Sequence, residues 1–102
     1  MRNGCSPQKG DNMAISITFR PTAFTLDMYN ETIKQLDAAG MAKPAGRILH
    51  VCSGSGERVS IFDIWESQEA FEEFSQYLMP ILDMMEVDPG IPAIAPVNNI
   101  LQ

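Results

Sequence analysis

The chain has 102 residues, with 7 Lys plus Arg against 13 Asp plus Glu, for a formal net charge of −6 with histidine neutral. That length suits one hydrophobic core and excludes two independently cored domains, while the acidic balance and the lack of a basic stripe argue against nucleic acid as a partner. Hydrophobic residues at 45% and charged residues at 20% are the proportions of a folded globular chain, which excludes a wholly disordered one.

Met1 to Asn12 (MRNGCSPQKGDN) sets Gly4, Pro7 and Gly10 among polar residues and reads as a flexible leader, 1–12, ahead of a single domain, 13–102. The leader lacks the apolar centre of a secretion signal, and no apolar run reaches the about 18 residues needed to cross a bilayer. Cys5 and Cys52 stand far apart, with no CxxC and no histidine cluster. That predicts two free thiols in a reducing compartment rather than a disulfide or a metal site. A cytoplasmic protein without membrane association is expected.

From Met13 the sequence alternates: Met13, Ile15, Ile17 and Phe19 on one face, Ala14, Ser16, Thr18 and Arg20 on the other. This is the pattern of a half-buried strand, and Pro21 stops it because proline has no N–H to give a ladder. Thr25 is placed to cap a helix, with Asp27 in its first turn where the dipole favours an anion. Leu26, Tyr29, Ile33 and Leu36 form its apolar stripe, and Gly40 closes it. Arg47–Ser53 and Arg58–Trp65 are β-rich runs joined by Gly54-Ser55-Gly56, the signal of an antiparallel hairpin. Ser67 caps a second helix with the stripe Phe71, Phe74, Leu78, Ile81, Leu82 and Met85, which Pro80 is expected to kink or restart. Beyond the turn Asp88-Pro89-Gly90, the apolar run from Ile91 to Leu101 reads as a last strand. Pro92 and Pro96 confine it to a sheet edge or delay its start.

The order β-α-β-β-α-β predicts an α+β fold, a ferredoxin-like sandwich: a four-stranded antiparallel sheet with two helices on one face. Two helices cover only one side of such a sheet, yet the hairpin is apolar on both. Val59, Ile61 and Trp65 alternate with Phe62 and Ile64, and Ile48 and Cys52 with Leu49 and Val51. Each large side chain buried on the second side contributes roughly 1.5–3 kcal/mol. A two-fold homodimer, sheet against sheet, is therefore expected; the plainer alternative is a monomer whose leader or tail folds over the sheet.

His50 is the only histidine, in mid-strand, and imidazole is the side chain suited to proton transfer near neutral pH. It is the candidate base; a core histidine satisfied by a backbone carbonyl is the structural alternative. Tyr29, on the stripe of the first helix, is the candidate anchor, and its hydroxyl needs a substrate, a water or His50 as partner. Trp65 offers a flat wall with an N–H donor, or simply fills the strand–helix junction. Phe71, Phe74, Met28 and Leu78 complete the expected substrate-binding set, the methionine as pliable filler. Asp63 stands in an apolar strand and reads as structural, with Arg20, Arg47 or Arg58 as its partner. P-loop, GxGxxG and GxSxG motifs are absent, and one histidine with two distant cysteines builds no zinc or haem centre, so no metal or other cofactor is expected.

The segments GRILHV (Gly46 to Val51), IFDIWESQEAFEEF (Ile61 to Phe74) and LMPIL (Leu78 to Leu82) resemble the dimeric α/β-barrel superfamily. Within it, the resemblance is to small bacterial members of the antibiotic-biosynthesis-monooxygenase-like branch, and it spans about Met13 to Leu101. It implies a homodimer whose sheets close a barrel, each protomer keeping a pocket between sheet and helices. Characterised members of that branch oxidise polycyclic aromatic substrates without a cofactor, the deprotonated substrate supplying the electrons, or cleave haem, and others have no known activity. His50, Tyr29 and Trp65 match the first activity as base, anchor and wall. Haem cleavage fits poorly: the first strand carries Ser16 and Thr18 where haem-degrading relatives have Asn, and the second helix has no histidine. The function expected is monooxygenase-like turnover of a hydrophobic or aromatic small molecule, with a non-catalytic binding or sensing module, or a purely structural dimer, as alternatives.

Overall fold

The computed structural model describes residues 13–101; the leader, Cys5 and Gln102 lie outside them. The elements are β1 (Ile15–Phe19), α1 (Leu26–Ala38), β2 (Arg47–Ser53), β3 (Ser60–Trp65), α2 (Gln68–Met84) and β4 (Ala93–Pro96). They form one four-stranded antiparallel sheet in the order β2-β3-β1-β4 with two helices, the ferredoxin-like α+β architecture.

The helix ends follow their local chemistry. Thr25 and Ser67 accept from the backbone N–H groups of Met28 and Ala70, each satisfying a first-turn donor. At the end of α1, Met41 N–H reaches Leu36 O at 2.7 Å and Gly40 N–H reaches Asp37 O at 3.0 Å, a Schellman closure. The apolar stripe of α1 differs from the expected one. Leu26 is 56% exposed, whereas Thr32 is buried, its hydroxyl bonded back to Met28 O. In α2, Pro80 neither ends nor restarts the helix. It sits on the exposed side with Gln76, so the carbonyl it orphans meets water.

Both helices pack on the same side of the sheet, where Ile15, Ile17, Phe19 and Trp65 meet Leu36 of α1 and Phe71 and Phe74 of α2. A second cluster of Phe24, Val59, Leu82 and Val87 closes the other end. The hairpin is pinned by Gly54, at φ +102, where a Cβ would come within 2.2 Å of Arg58 O. From that turn Ser53 pairs with Ser60, Val51 with Phe62 and His50 with Asp63. The register then slips between Arg47 and Leu49, so Ile48 bulges out at 46% exposure. Strict alternation would put Ile48 on His50's face; the bulge puts Arg47 there instead.

Directly opposed residues share a face. The helix side of the hairpin is therefore Arg47, His50, Cys52, Ile61, Asp63 and Trp65, and the outer side carries Leu49, Val51, Phe62 and Ile64. Val51 at 40% and Phe62 at 37% exposure stand opposite each other on that outer side. The last strand is shorter than the apolar run that suggested it: β4 covers only Ala93–Pro96, at the edge beside β1. Among the described residues, no helix is long and apolar enough to cross a membrane.

Candidate functional site

The register that places His50 opposite Asp63 also turns the imidazole toward the helices. Its Nδ1 lies 2.6 Å from Asp63 Oδ1 and its Nε2 lies 2.7 Å from the Tyr29 hydroxyl on α1. The Tyr29 and His50 rings stack with centroids 5.8 Å apart. Asp63 Oδ2 accepts the indole N–H of Trp65 at 3.3 Å. A continuous chain of hydrogen bonds thus runs Tyr29–His50–Asp63–Trp65 across α1, β2 and β3.

Asp63 is buried, with 5% of its side chain exposed, against 21% for His50. A carboxylate so enclosed is costly unless its oxygens are met by donors, and here both are. The partner is His50, not Arg20, Arg47 or Arg58 as the charge inventory suggested. This pairing follows from the loop of residues 54–59, which sets Ser53 opposite Ser60; the glycine turn, alternation and charge alone do not reveal it.

A cavity of about 60 Å³ adjoins the chain, its walls mostly apolar. Tyr29, His50 and Asp63 touch it, as do Arg47 at the bulge and Ile33, Leu36, Phe74 and Leu78 from the helices. Of the residues expected to bind substrate, Phe74 and Leu78 line it; Trp65, Phe71 and Met28 do not. Trp65 is fully buried, in an edge-on contact with Phe71 at 5.7 Å and a tilted one with Phe74 at 5.1 Å. Its indole fills the strand–helix junction and supports Asp63 from behind. Met28 packs against the second core cluster. Sequence reasoning missed Arg47, which only the bulge brings to this face, and Thr32, whose polar type concealed a buried position.

Burial raises the Tyr29 pKa above its ordinary value of 10.0; Cys52 and Asp63 push the same way and Arg47 opposes them. Burial also pushes the Cys52 thiol up, which keeps it protonated and poorly nucleophilic near neutral pH. Among the described residues, no three His, Cys, Asp or Glu side chains gather in a way that could hold a metal ion.

No family model and no curated protein matches the sequence. Solved structures do. A Chloroflexus aurantiacus protein, designated by inference an antibiotic biosynthesis monooxygenase, aligns with a TM-score of 0.62 at 11% identity, over 87% of this chain and 97% of that one. A Caulobacter crescentus protein of the same designation aligns at 0.56 and 16% identity, over 89% and 93% of the two chains. The structural-genomics protein YJCS aligns at 0.58 and 17% identity, over 83% and 99%. The fold is therefore that of the antibiotic-biosynthesis-monooxygenase-like group resembled by the sequence segments, and at these identities the likeness is one of fold.

The raised Tyr29 pKa has a consequence for stability. The native state holds the phenolic proton more tightly than the unfolded chain, so the protein is at full stability below the unfolded value near 10 and loses stability as pH rises through the native one. Urea unfolding between pH 8 and pH 11 should show wild type losing stability relative to Tyr29→Phe above about pH 10. Parallel curves for the two proteins would contradict the burial argument.

Proposed function

We propose that the chain works as a cytoplasmic homodimer, joined through the outer sheet face, whose helix-side cavity takes a small hydrophobic or aromatic molecule and oxidises it without a cofactor. The observation that supports the chemistry is the Tyr29–His50–Asp63 chain at the wall of an apolar cavity. A base backed by a buried carboxylate, in a site poor in water, is what deprotonation of a weakly acidic molecule requires. The resulting anion is electron-rich enough to react with dioxygen. For a phenol, one ring C–H becomes a quinone C=O, O2 supplies that oxygen, and its other atom leaves as water.

Cavity volume limits the ligand. An apolar cavity of about 150 Å³ accepts benzene, and this one measures about 60 Å³. The ligand is thus smaller than the polycyclic compounds implied by the resemblance, and even a single ring enters only as the walls yield. The same number favours a second reading, a binding module or structural dimer without turnover.

Two measurements test these readings. Sedimentation at micromolar concentration should give a dimer for wild type and a monomer for Phe62→Lys, which sets a charge in the middle of the outer face. A monomeric wild type would contradict the dimer. With a panel of single-ring phenols, wild type should bind and consume oxygen, and Leu78→Trp, which fills the cavity, should bind none. His50→Ala should still bind but lose oxygen uptake about 100-fold, the usual scale of general-base catalysis. Binding without oxygen uptake in wild type would select the module.

A further inference from the structure

The hydrogen-bond chain has a direction, and the direction decides which atom meets the ligand. Trp65 Nε1 can only donate, so Asp63 Oδ2, at 3.3 Å, is an acceptor. The other carboxylate oxygen lies 2.6 Å from His50 Nδ1, and an ionised carboxylate can only accept, so Nδ1 is the donor. His50 Nδ1 is then N–H, and in the neutral ring Nε2 carries the lone pair. The Tyr29 hydroxyl, 2.7 Å away, donates to it. Both ring nitrogens are thereby engaged, and His50 has neither a free lone pair nor a free N–H for a ligand. Tyr29 Oη keeps its lone pairs, and Tyr29 lines the cavity.

We propose that Tyr29 Oη, rather than His50, is the atom that takes the proton from the bound molecule, its own phenolic proton passing in the same step to His50 Nε2. This deepens the reading given above and rests on it. One O–H or C–H bond of the ligand breaks and one forms at Tyr29 Oη, while the Tyr29 O–H bond breaks and an N–H forms at His50. The step leaves a neutral tyrosine, an imidazolium held by the Asp63 carboxylate, and an anionic ligand. Tyr29 meets the ligand, His50 is the terminal base that receives the relayed proton, and Asp63 is the positioning residue behind them. The ligand class follows: a small apolar molecule with an acidic hydroxyl, or with a C–H beside a carbonyl. Its anion shares the cavity with Arg47, the one Lys or Arg among the lining residues. A raised phenol pKa fits this role, because the relay needs Tyr29 protonated at rest. Besides His50, the charged or titratable groups around it are Cys52 and Arg47 on β2 and Asp63 on β3, while α2 presents Phe74, Leu78 and Leu82 to the cavity.

Because the chain has a single histidine, long-range proton–nitrogen correlation spectra of the 15N-labelled protein at mildly alkaline pH report its tautomer without assignment. Wild type should show Nδ1–H with an unprotonated Nε2. In Asp63→Asn the amide oxygen stays with the Trp65 donor, so the NH2 group faces Nδ1 and the proton should move to Nε2. An Nε2–H tautomer in wild type would overturn the assignment and leave ligand binding by the cavity where it stands. The transfer itself is read with 4-nitrophenol, a single-ring acid whose anion is coloured, added below its own pKa. It should ionise on binding to wild type and bind un-ionised to Tyr29→Phe. Equal ionisation in both proteins would return the role to His50 and overturn the proposal. Binding to neither protein would overturn the cavity reading together with it.

Discussion

A carboxylate enclosed in a protein interior must be met by donors or it destabilises the fold by several kcal/mol. Asp63 is the residue that imposes this condition here. It stands in the middle of β3 on the helix side, with 5% of its side chain exposed. Its neighbours answer the condition from two directions. His50 meets it across the hairpin and Trp65 from two residues along the same strand. Once those bonds are made, the imidazole ring is fixed in place, and its second nitrogen is held where α1 delivers the Tyr29 hydroxyl. The polar chain is thus the result of burying one acid, and it lies along the wall of the apolar cavity.

Much of this architecture was legible because it depends on local chemistry. Thr25 and Ser67 begin helices because their side chains satisfy first-turn N–H groups, and both do so here. The prolines at 92 and 96 keep the last strand short and at the sheet edge. The order of elements then leaves one topology that buries the stripes of both helices on the same side. The two-sided apolar hairpin was also visible, and the register places Leu49, Val51, Phe62 and Ile64 on the side the helices leave open.

What stayed hidden depends on contacts distant in sequence. Gly46 lies so near α2 that a Cβ would come within 2.7 Å of the Ala70 side chain, and its carbonyl accepts from Glu66 N–H at 2.8 Å. The register slip follows immediately after it, between Arg47 and Leu49. A period-two reading has no means of seeing an inserted residue, so it paired His50 with Ile48 in place of Arg47. Thr32 was passed over because its polar type hides a hydroxyl that bonds back to Met28 O of its own helix and so is satisfied without water. Trp65 was legible as a large ring at a junction, but its N–H bond to Asp63 depends on where that carboxylate turns.

The central claim is that Tyr29, His50 and Asp63 form one coupled unit. Tyr29 and Asp63 each bond to His50, through different ring nitrogens. A double-mutant cycle on unfolding free energy with Tyr29→Phe, Asp63→Asn and the double variant measures that coupling most directly. The account predicts an interaction energy of about 1 kcal/mol transmitted through the imidazole. Losses that add to within about 0.5 kcal/mol would show two independent contacts and contradict it.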